Sequence, residues 1–493
     1  MNYKYLLSIL ILLSCRLTVH ANYNFNTRCQ EAYKAIFDLR LSQARAIIAE
    51  EKKQNPQNGI TILLDNYVDY YSLLASENKS DYEKLMHLRA DRIDALSDNK
   101  ENSPYYLFSR AEIYLQWGLL KGRFGDYSSS EFDFSKARSL LKTNAEKYPD
   151  FLPDQKSLAI INVVFGAIPS NLKIWAGLFG MKGNVEEGLT QLEKFKLAIT
   201  NTKYSFYNNE TISLLCFLDI DVLHNKDNYN KLMGLLAGMD NTSAFKKYLQ
   251  GYVAFKTFHN DEAINFFEAI PRSSQYTSLP LADYFLGNAK LCRMDTDANV
   301  YLLKYVNEYK GVNFIKDAYV KLAYYSLFKN DREKYASYIN MVHTRGYATD
   351  EKDKQAIKEA DDVQPNISLL KARFYYDGGY ESKALDELKI HQEKDFNPLR
   401  DKIEFNYRLG RIYEKLEKFN EAIACYQRSI VLGKATAYYY SANAALSIGG
   451  IFEHKKDYKN AAIYYKQALD MRDHEYQNSI DTQAKDGLNR INR

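Results

Sequence analysis

The chain has 493 residues, and only 22 of them are glycine and 9 are proline. So few turn-forming residues argue against a β-barrel or β-sandwich and favour helices joined by short turns. The 66 basic and 62 acidic residues are mixed along the whole length and leave a net charge of +4, which gives no footprint for nucleic acid.

The N-terminus has the layout of a secretory signal peptide. Lys4 precedes an apolar stretch at residues 5–13, which is too short to span a bilayer. The small residues Val19 and Ala21 predict cleavage after Ala21, so that residues 1–21 form the signal peptide. Alternatively, residues 12–15 look like a bacterial lipobox, whose Cys15 would be lipidated. Both interpretations predict an exported protein that is periplasmic or associated with an outer membrane.

Four further cysteines lie far apart in the sequence, without the close spacing of a zinc or redox motif. Their disulfide status is left open. Cys425 lies in an apolar helix stripe, and we interpret it as a small buried hydrophobic residue. The four are Cys29, Cys216, Cys292 and Cys425.

Weak copies of one helix-pair pattern recur through residues 22–155 and 196–365 and continue towards the C-terminus. A small residue in a first helix is followed by an aromatic residue and an alanine in a second helix. Most of the chain is therefore predicted to consist of stacked helix pairs. The copies are Gly118 with Phe134 and Ala137, Gly251 with Ala263, Phe267 and Ile270, Leu286 and Gly287, Gly379 with Ala384, and Ala44 with Pro56.

Residues 156–195 interrupt this pattern, and we interpret them as a hydrophobic helical hairpin inserted between helix pairs. Residues 158–181 are almost continuously apolar, but Pro169 and its polar neighbours lie in the middle, which does not suit a membrane span. We expect a hairpin buried inside the helical stack. The alternative is an exposed hairpin that contacts lipid or a partner.

The clearest repeat lies within residues 366–475, where two units follow each other in register. Each marked residue has a counterpart 39 positions later, and the offsets put the marked residues on one face of two successive helices. Glycine and alanine are small where paired helices approach closely, and aromatic residues fill the gaps between pairs. The counterparts are Leu409 and Ile448, Gly410 and Gly449, Tyr413 and Phe452, Phe419 and Tyr458, Ala422 and Ala461, Tyr426 and Tyr465, and Ser429 and Ala468.

This pattern resembles the tetratricopeptide repeat family. The resemblance implies an all-α fold, a tetratricopeptide-like α-solenoid of stacked antiparallel helix pairs that binds a protein or peptide on its concave face. The family period is about 34 residues, so the period here implies about five extra residues near residues 433–437. Glu417 and Lys456 stand where the family usually has a glycine in the turn.

The apolar insert carries a second, local resemblance, to a eukaryotic tetratricopeptide family linked to mitochondrial outer membranes and inclusion clearance. The signal peptide does not fit the compartment of that family. The resemblance rests on Ile168 and Pro169, on residues 179–184, and on Gly188, Leu189 and Leu192. Beyond the repeats, residues 476–493 have the apolar spacing of one amphipathic helix, which we expect to cap the open end of the stack.

The sequence contains no motif of a metalloprotease, a serine hydrolase, a P-loop or a dinucleotide site. Asp295, Asp297 and Asn299 imitate the start of a calcium loop, but Val300 and Val306 stand where glycine and glutamate are required. We interpret this segment as a polar turn between helices. The sequence therefore predicts a protein that is not an enzyme and that holds no metal and no cofactor.

A candidate binding surface lies on the first helix of the repeat that begins at Ile403. Family geometry directs Tyr407, Arg408 and Arg411 toward the concave side, and turns Leu409 and Tyr413 inward to pack. Tyr407 and Arg411 lie one turn apart and suit a carboxylate with an adjacent apolar side chain. The alternative is a solvated, charged helix face. The equivalent residues of the next repeat are Leu446, Ser447 and Gly450.

The preferred interpretation is an exported scaffold or adaptor that binds a protein or peptide partner and no nucleic acid. Cys15 or residues 158–181 would provide any membrane association. The 42 tyrosines permit an alternative, a cell-surface glycan-binding lipoprotein on the same helical scaffold, because aromatic rings stack on sugars. Such proteins usually carry exposed tryptophans and long loops, whereas this chain has 2 tryptophans. An enzyme whose site is assembled from distant helices is a third alternative.

Overall fold

The computed structural model describes residues 23–97, 102–168 and 183–492. Within these ranges the chain consists of helices and short connections, without a β-strand. The predicted all-α fold of stacked antiparallel helix pairs is therefore confirmed. The signal peptide, Cys15 and most of the apolar segment 158–181 lie outside the described residues.

The helices of the N-terminal half run from the start of the described chain to Lys256. They are α1 (Thr27–Phe37), α2 (Leu41–Gln54), α3 (Ile60–Ser76), α4 (Lys79–Leu85), α5 (Leu88–Ser97), α6 (Pro104–Arg123), α7 (Tyr127–Lys147), α8 (Pro153–Ala167), α9 (Val185–Ile199), α10 (Asn208–Phe217), α11 (Tyr229–Ala237) and α12 (Ala244–Lys256). A π-helical turn, Leu218–Val222, extends α10.

The helices of the C-terminal half follow, beginning with the one that pairs with α12. They are α13 (Asn260–Glu268), α14 (Pro280–Arg293), α15 (Ala298–Glu308), α16 (Ile315–Phe328), α17 (Arg332–Thr344), α18 (Glu351–Asp361), α19 (Ile367–Asp377), α20 (Glu381–Lys389), α21 (Leu399–Lys415), α22 (Phe419–Gly433), α23 (Tyr440–His454), α24 (Tyr458–Asp470) and α25 (Gln477–Ile491).

Eight of the helix pairs share one turn. In each, a residue with left-handed backbone follows one or two positions after the end of the first helix, and the next residue donates its N–H to the carbonyl five positions earlier at 2.8–2.9 Å. This bond satisfies a carbonyl that the end of the helix leaves without a partner. Glu417 and Lys456, which replace the usual glycine, adopt this conformation with φ of 59°. The left-handed residues are Leu39, Gly125, Phe258, Met294, Asn330, Gly379, Glu417 and Lys456.

The small residues of the repeat lie where paired helices touch. A Cβ atom added at Gly410 would lie 2.5 Å from the ring of Tyr426, and one added at Gly449 would lie 2.5 Å from the ring of Tyr465. The weaker copies show the same contact, since Gly251 faces Phe267 and Gly118 faces Phe134. A glycine on the first helix and an aromatic ring on the second are therefore the common device of close packing between paired helices.

The apolar interior of the described chain falls into three clusters. The first runs from Tyr23 to Phe374 without a break, the second from Leu369 to Ile412, and the third from Ile403 to Ala484. The last helix, α25, buries Ile480 and Ala484 against α24, and its Arg490 forms an ion pair with Glu453 of α23. No helix of the described residues is both long and apolar enough to cross a membrane.

An ionic cluster lies fully buried in the first apolar cluster. The Lys156 ammonium lies 3.0 Å from a carboxylate oxygen of Glu112 and 2.8 Å from one of Glu210. The Tyr67 hydroxyl donates to Glu112, and the Tyr33 hydroxyl donates to Glu210. Burial raises the pKa of the Glu210 carboxyl, although Lys156 opposes the shift. Buried charges of this kind need both ion pairing and hydrogen bonds to be tolerated.

All four cysteines of the described chain are free thiols. Burial raises the pKa of Cys29, Cys216 and Cys292 to about 12, and that of Cys425 to about 11. Cys425 is half-buried rather than fully buried. Because the thiolate is the reactive form, these four groups have little nucleophilic or metal-binding character at neutral pH.

Candidate functional site

A groove of about 860 Å³ opens between the first helices of three successive pairs, α19, α21 and α23. This is the position at which sequence reasoning placed a binding surface. Two of the three candidate side chains line it, Tyr407 and Arg411, and so do all three equivalent residues of the next repeat, Leu446, Ser447 and Gly450. One wall of the groove is therefore basic and aromatic, and the opposite wall consists of small or apolar side chains.

Arg411 is a charged residue of the groove wall that packs against aromatic rings. Its guanidinium stacks on the ring of Tyr376, 4.1 Å from the ring centroid, and lies 5.9 Å from the centroid of Tyr407. Within the described residues it forms no ion pair and no hydrogen bond. Contact with the ring holds the guanidinium in place where the Arg411 side chain lines the groove.

Tyr407 and Arg408 are buried, and each has partners inside the protein. Tyr407 is 2% exposed, and its hydroxyl accepts a hydrogen bond from Asn443. Arg408 donates from Nε to Glu404 at 2.7 Å, four residues earlier on the same helix, and borders a neighbouring cavity instead of the groove. Burial alone would raise the pKa of Glu404, but Arg408 lowers it overall. Of the three side chains predicted to face a ligand, only Arg411 therefore lines the groove without a hydrogen-bond or ion-pair partner in the described residues.

The two residues expected to turn inward are half-buried. Leu409 packs against the second apolar cluster and Tyr413 against the third. The helix face that carries Tyr407 and Arg411 is thus more enclosed than the amphipathic pattern of α21 indicates, because α19 and α23 cover it from both sides.

Two lysines add positive charge beside the groove. Lys226 lies 4.9 Å and Lys415 5.3 Å from the centroid of the Phe258 ring. Burial lowers the pKa of the Lys226 ammonium, and the positive charges of Arg411 and Lys415 lower it further. Neither lysine forms an ion pair within the described part of the chain. The cost of bringing these cations together falls when an anion binds among them.

Three carboxyl groups line the groove, those of Asp227, Glu414 and Glu417, and Glu414 lies on the same helix as Arg411. Glu414 accepts a hydrogen bond of 2.5 Å from the Tyr426 hydroxyl. Burial raises the pKa of this carboxyl above its usual value, even though the hydrogen bond from Tyr426 acts in the opposite direction. Glu414 is thus held by Tyr426 of the paired helix, and it forms no ion pair with Arg411 in the described structure.

Sequence reasoning missed the residues that come from other elements. Tyr376 belongs to α19, Asn443 to α23, and Lys226 to the connection before α11. The two adjacent tyrosines, Tyr375 and Tyr376, can be recognised in the sequence as a pair of aromatic residues. The sequence alone does not show that the ring of Tyr376 lies against Arg411.

The described residues contain no group of three or more histidine, cysteine, aspartate or glutamate side chains that could hold a metal ion. The segment that resembles the start of a calcium-binding loop forms a turn between α14 and α15. Asp295 pairs with Arg293, and Asp297 pairs with Lys290 at 2.9 Å, so arginine and lysine take up these carboxylates. This placement agrees with the interpretation of the segment as a polar turn.

Two solved structures are similar to the chain. The crystal structure of the APC/C hetero-tetramer Cut9–Hcn1 has a TM-score of 0.29 and 12% identity and covers 97% of this chain and 99% of that one. The structure of yeast Tom70 has a TM-score of 0.24 and 14% identity, with coverage of 94% and 88%. At such scores neither carries an argument about function. No curated protein gives a significant sequence match.

The family comparison bears on the two clear repeats. Residues 403–474 match the model of the family described as tetratricopeptide repeat. The match covers the pairs α21 with α22 and α23 with α24, whose glycine-to-tyrosine contacts and turns are described above. The resemblance to the tetratricopeptide repeat family is therefore confirmed for residues 403–474, which form two repeats of this type.

Proposed function

We propose that the chain is an exported scaffold that binds a carboxylate-bearing segment of a partner protein in the groove around Arg411. The single observation that supports this function most is the stacked guanidinium of Arg411, which forms no direct ion pair within the described residues and lines a groove large enough for several residues of peptide. A guanidinium with free N–H donors matches the geometry of a carboxylate.

The shape of the groove supports a peptide segment as the ligand. A carboxylate at Arg411 would place its neighbouring residue over Leu446, Ser447 and Gly450, where the wall is small. Extended peptides bind such surfaces through an anchored charge and a few adjacent side-chain contacts. Scaffolding of protein partners is also the use that the tetratricopeptide family implies.

Replacing Arg411 by alanine is expected to weaken binding of the partner by about 2 kcal/mol, because a charged hydrogen bond in a partly buried groove is lost. The partner would be captured from the native envelope and identified by mass spectrometry, and its affinity for both proteins would then be measured by calorimetry. Tyr407 is left unchanged, since it is buried and its removal would destabilise the repeat itself.

Arg332→Ala is the matched control, since Arg332 is exposed on α17, outside the groove. Its affinity should equal that of the native protein. The partner segment with an amidated carboxylate should lose about as much affinity as Arg411→Ala. Equal affinity of Arg411→Ala and the native protein would exclude this groove, and recovery of polysaccharide alone would favour the glycan-binding alternative.

The proposed export makes a separate prediction about the N-terminus. If cleavage follows Ala21, the mature protein begins at Asn22 and carries no lipid. If Cys15 is lipidated, metabolic labelling with a fatty acid tags the protein, and Cys15→Ser abolishes the tag. Mass spectrometry of the mature N-terminus decides between these two forms of the proposal. Protein that retains Met1 would contradict both.

A further inference from the structure

A second cavity, of about 620 Å³, lies apart from the groove, between α3, α10, α12, α14 and the start of α16. Apolar side chains make most of its wall, and many of them are only half-buried because they border open space. Its size and its apolar lining are typical of sites for small ligands. The apolar wall includes Tyr71, Leu74, Phe217, Phe245, Leu279, Leu281, Phe285 and Phe314.

The acidic groups of this apolar cavity already have partners. Glu77 accepts hydrogen bonds from Arg123 Nε at 2.6 Å and from Asn313 at 2.8 Å. Asp221 accepts from the Tyr252 hydroxyl and lies 3.3 Å from the Lys256 ammonium.

The remaining acids stand at the start of α18. Asp350 caps this helix by accepting from the Lys352 backbone N–H, and Glu351 pairs with Lys354 at 2.6 Å. The Lys352 ammonium forms no ion pair in the described chain, and its side chain lines the cavity.

A smaller cavity, of about 290 Å³, adjoins the apolar one, and Lys256 and Lys352 border both. Three further cations line the smaller cavity, Lys226, Lys321 and Arg373, against the single carboxylate of Asp377. The two cavities are therefore neighbours that share Lys256 and Lys352, and the larger has a mainly apolar wall whereas the smaller is lined by several cations.

Two of the cations in the smaller cavity are already paired. Lys321 lies 3.2 Å from Asp317, and Arg373 lies 2.9 Å from Glu359. Lys226 and Lys352 have no such partner within the described ranges. Burial lowers the pKa of Lys352, the carboxylates of Asp317 and Asp377 oppose this shift, and the positive charges of Lys321 and Lys256 add to it. An anion placed between Lys226 and Lys352 would relieve this repulsion.

We propose that the two adjoining cavities together bind one small amphiphilic anion, with its apolar body in the larger cavity and a carboxylate or phosphate head between Lys352 and Lys226. A purely apolar ligand would use only the larger cavity, and a small inorganic anion would use only the cations of the smaller one. A molecule with an apolar body and a charged head would use both. The polarity of the site matches that of a molecule with one charged end.

The probes are decanoate, decyl phosphate, decanol, acetate and inorganic phosphate, titrated into the full chain by calorimetry. We expect decanoate or decyl phosphate to bind about tenfold or more tightly than decanol, because the charged head gains hydrogen bonds from lysine. Acetate and inorganic phosphate should give no measurable heat. The tighter of the two charged probes tells whether the natural head is a carboxylate or a phosphate.

Lys352→Gln should weaken binding of the charged probe by about tenfold and leave decanol unaffected. Lys358→Gln is the matched control, because Lys358 lies on the same helix but outside both cavities, and it should bind as the native chain does. Leu281→Asn, which makes the apolar wall polar, should weaken all three ten-carbon probes. Thermal unfolding shows whether each variant is folded.

Absence of binding by both charged probes would overturn the proposal. So would equal affinities of decanol and the charged probes, or a Lys352→Gln variant that binds the charged probe as tightly as the native chain. Loss of partner binding in Arg411→Ala bears on the groove alone and leaves these outcomes unchanged.

Discussion

Replacing Lys156 by alanine is expected to lower the free energy of unfolding by about 3–5 kcal/mol, the largest effect of any single substitution considered for this chain. The reason is that Glu112 and Glu210 would stay buried without their shared ammonium. The pairing does not itself have to be strongly stabilising for this loss to be large, since the cost comes from uncompensated charge. Chemical denaturation followed by circular dichroism measures it.

The loss should depend on pH. In the variant, burial without a counter-charge raises the carboxyl pKa values in the folded state above those of the unfolded chain. The folded variant then holds protons that the unfolded chain releases, so its stability falls as pH rises from about 5 to about 8. The deficit relative to the native protein should therefore be smaller at the lower pH.

Two variants test this account of Lys156. Lys142→Ala, on the exposed face of α7, should be within about 0.5 kcal/mol of the native protein. A triple variant, Lys156→Met with Glu112→Gln and Glu210→Gln, should recover most of the lost stability, because it removes the charges together. A Lys156→Ala protein as stable as the native one at neutral pH would contradict the buried ionic cluster.

Replacing Gly449 by leucine is expected to cost about 3 kcal/mol, the upper end for overpacking a core contact. Even a Cβ atom at this position would lie 2.5 Å from the Tyr465 ring, which is itself packed between α23 and α25. The paired helices would have to separate to admit a larger side chain. The midpoint of denaturant unfolding reports the loss, and the slope should stay the same.

The adjacent residue provides the matched control. A Cβ atom at Gly450 has only the Tyr465 hydroxyl in contact, at 4.0 Å, so Gly450→Leu meets open space. We expect this variant to be as stable as the native protein or up to about 0.8 kcal/mol more stable, because leucine favours helix more than glycine does. If both variants unfold at the same denaturant concentration, the assigned contact between α23 and α24 is wrong.

Much of the fold could be predicted because paired helices leave a local signature. Gly410 and Tyr426 touch each other across a single turn, so their spacing in the sequence directly reflects their contact. The same logic extended to Gly251 and Phe267, which the structure also brings together. The left-handed turns at Leu39 and Met294 could not be predicted, since nothing about leucine or methionine indicates that backbone conformation.

The groove was only partly predictable, for a physical reason. Arg411 and Leu446 could be placed from repeat geometry, because each occupies a defined position on a first helix. Burial of Tyr407 and the stacking of Tyr376 depend on how three successive pairs pack, and that packing is not encoded at any fixed spacing. The cations around Lys352 come from still more distant helices and left no motif.

The shared turn has a consequence for how such proteins diverge. Each turn requires a backbone conformation and no particular side chain, and leucine, phenylalanine, methionine, asparagine, glutamate and lysine all adopt it here. A substitution away from glycine costs only about 1–2 kcal/mol, which a chain with this many contacts can tolerate. Sequence can therefore drift at the very positions by which a repeat is recognised while the helix pairs persist. The helix-pair fold can therefore persist where the sequence pattern of the repeat is no longer recognised. The same turn recurs from Leu39 to Lys456, although the family match spans only residues 403–474.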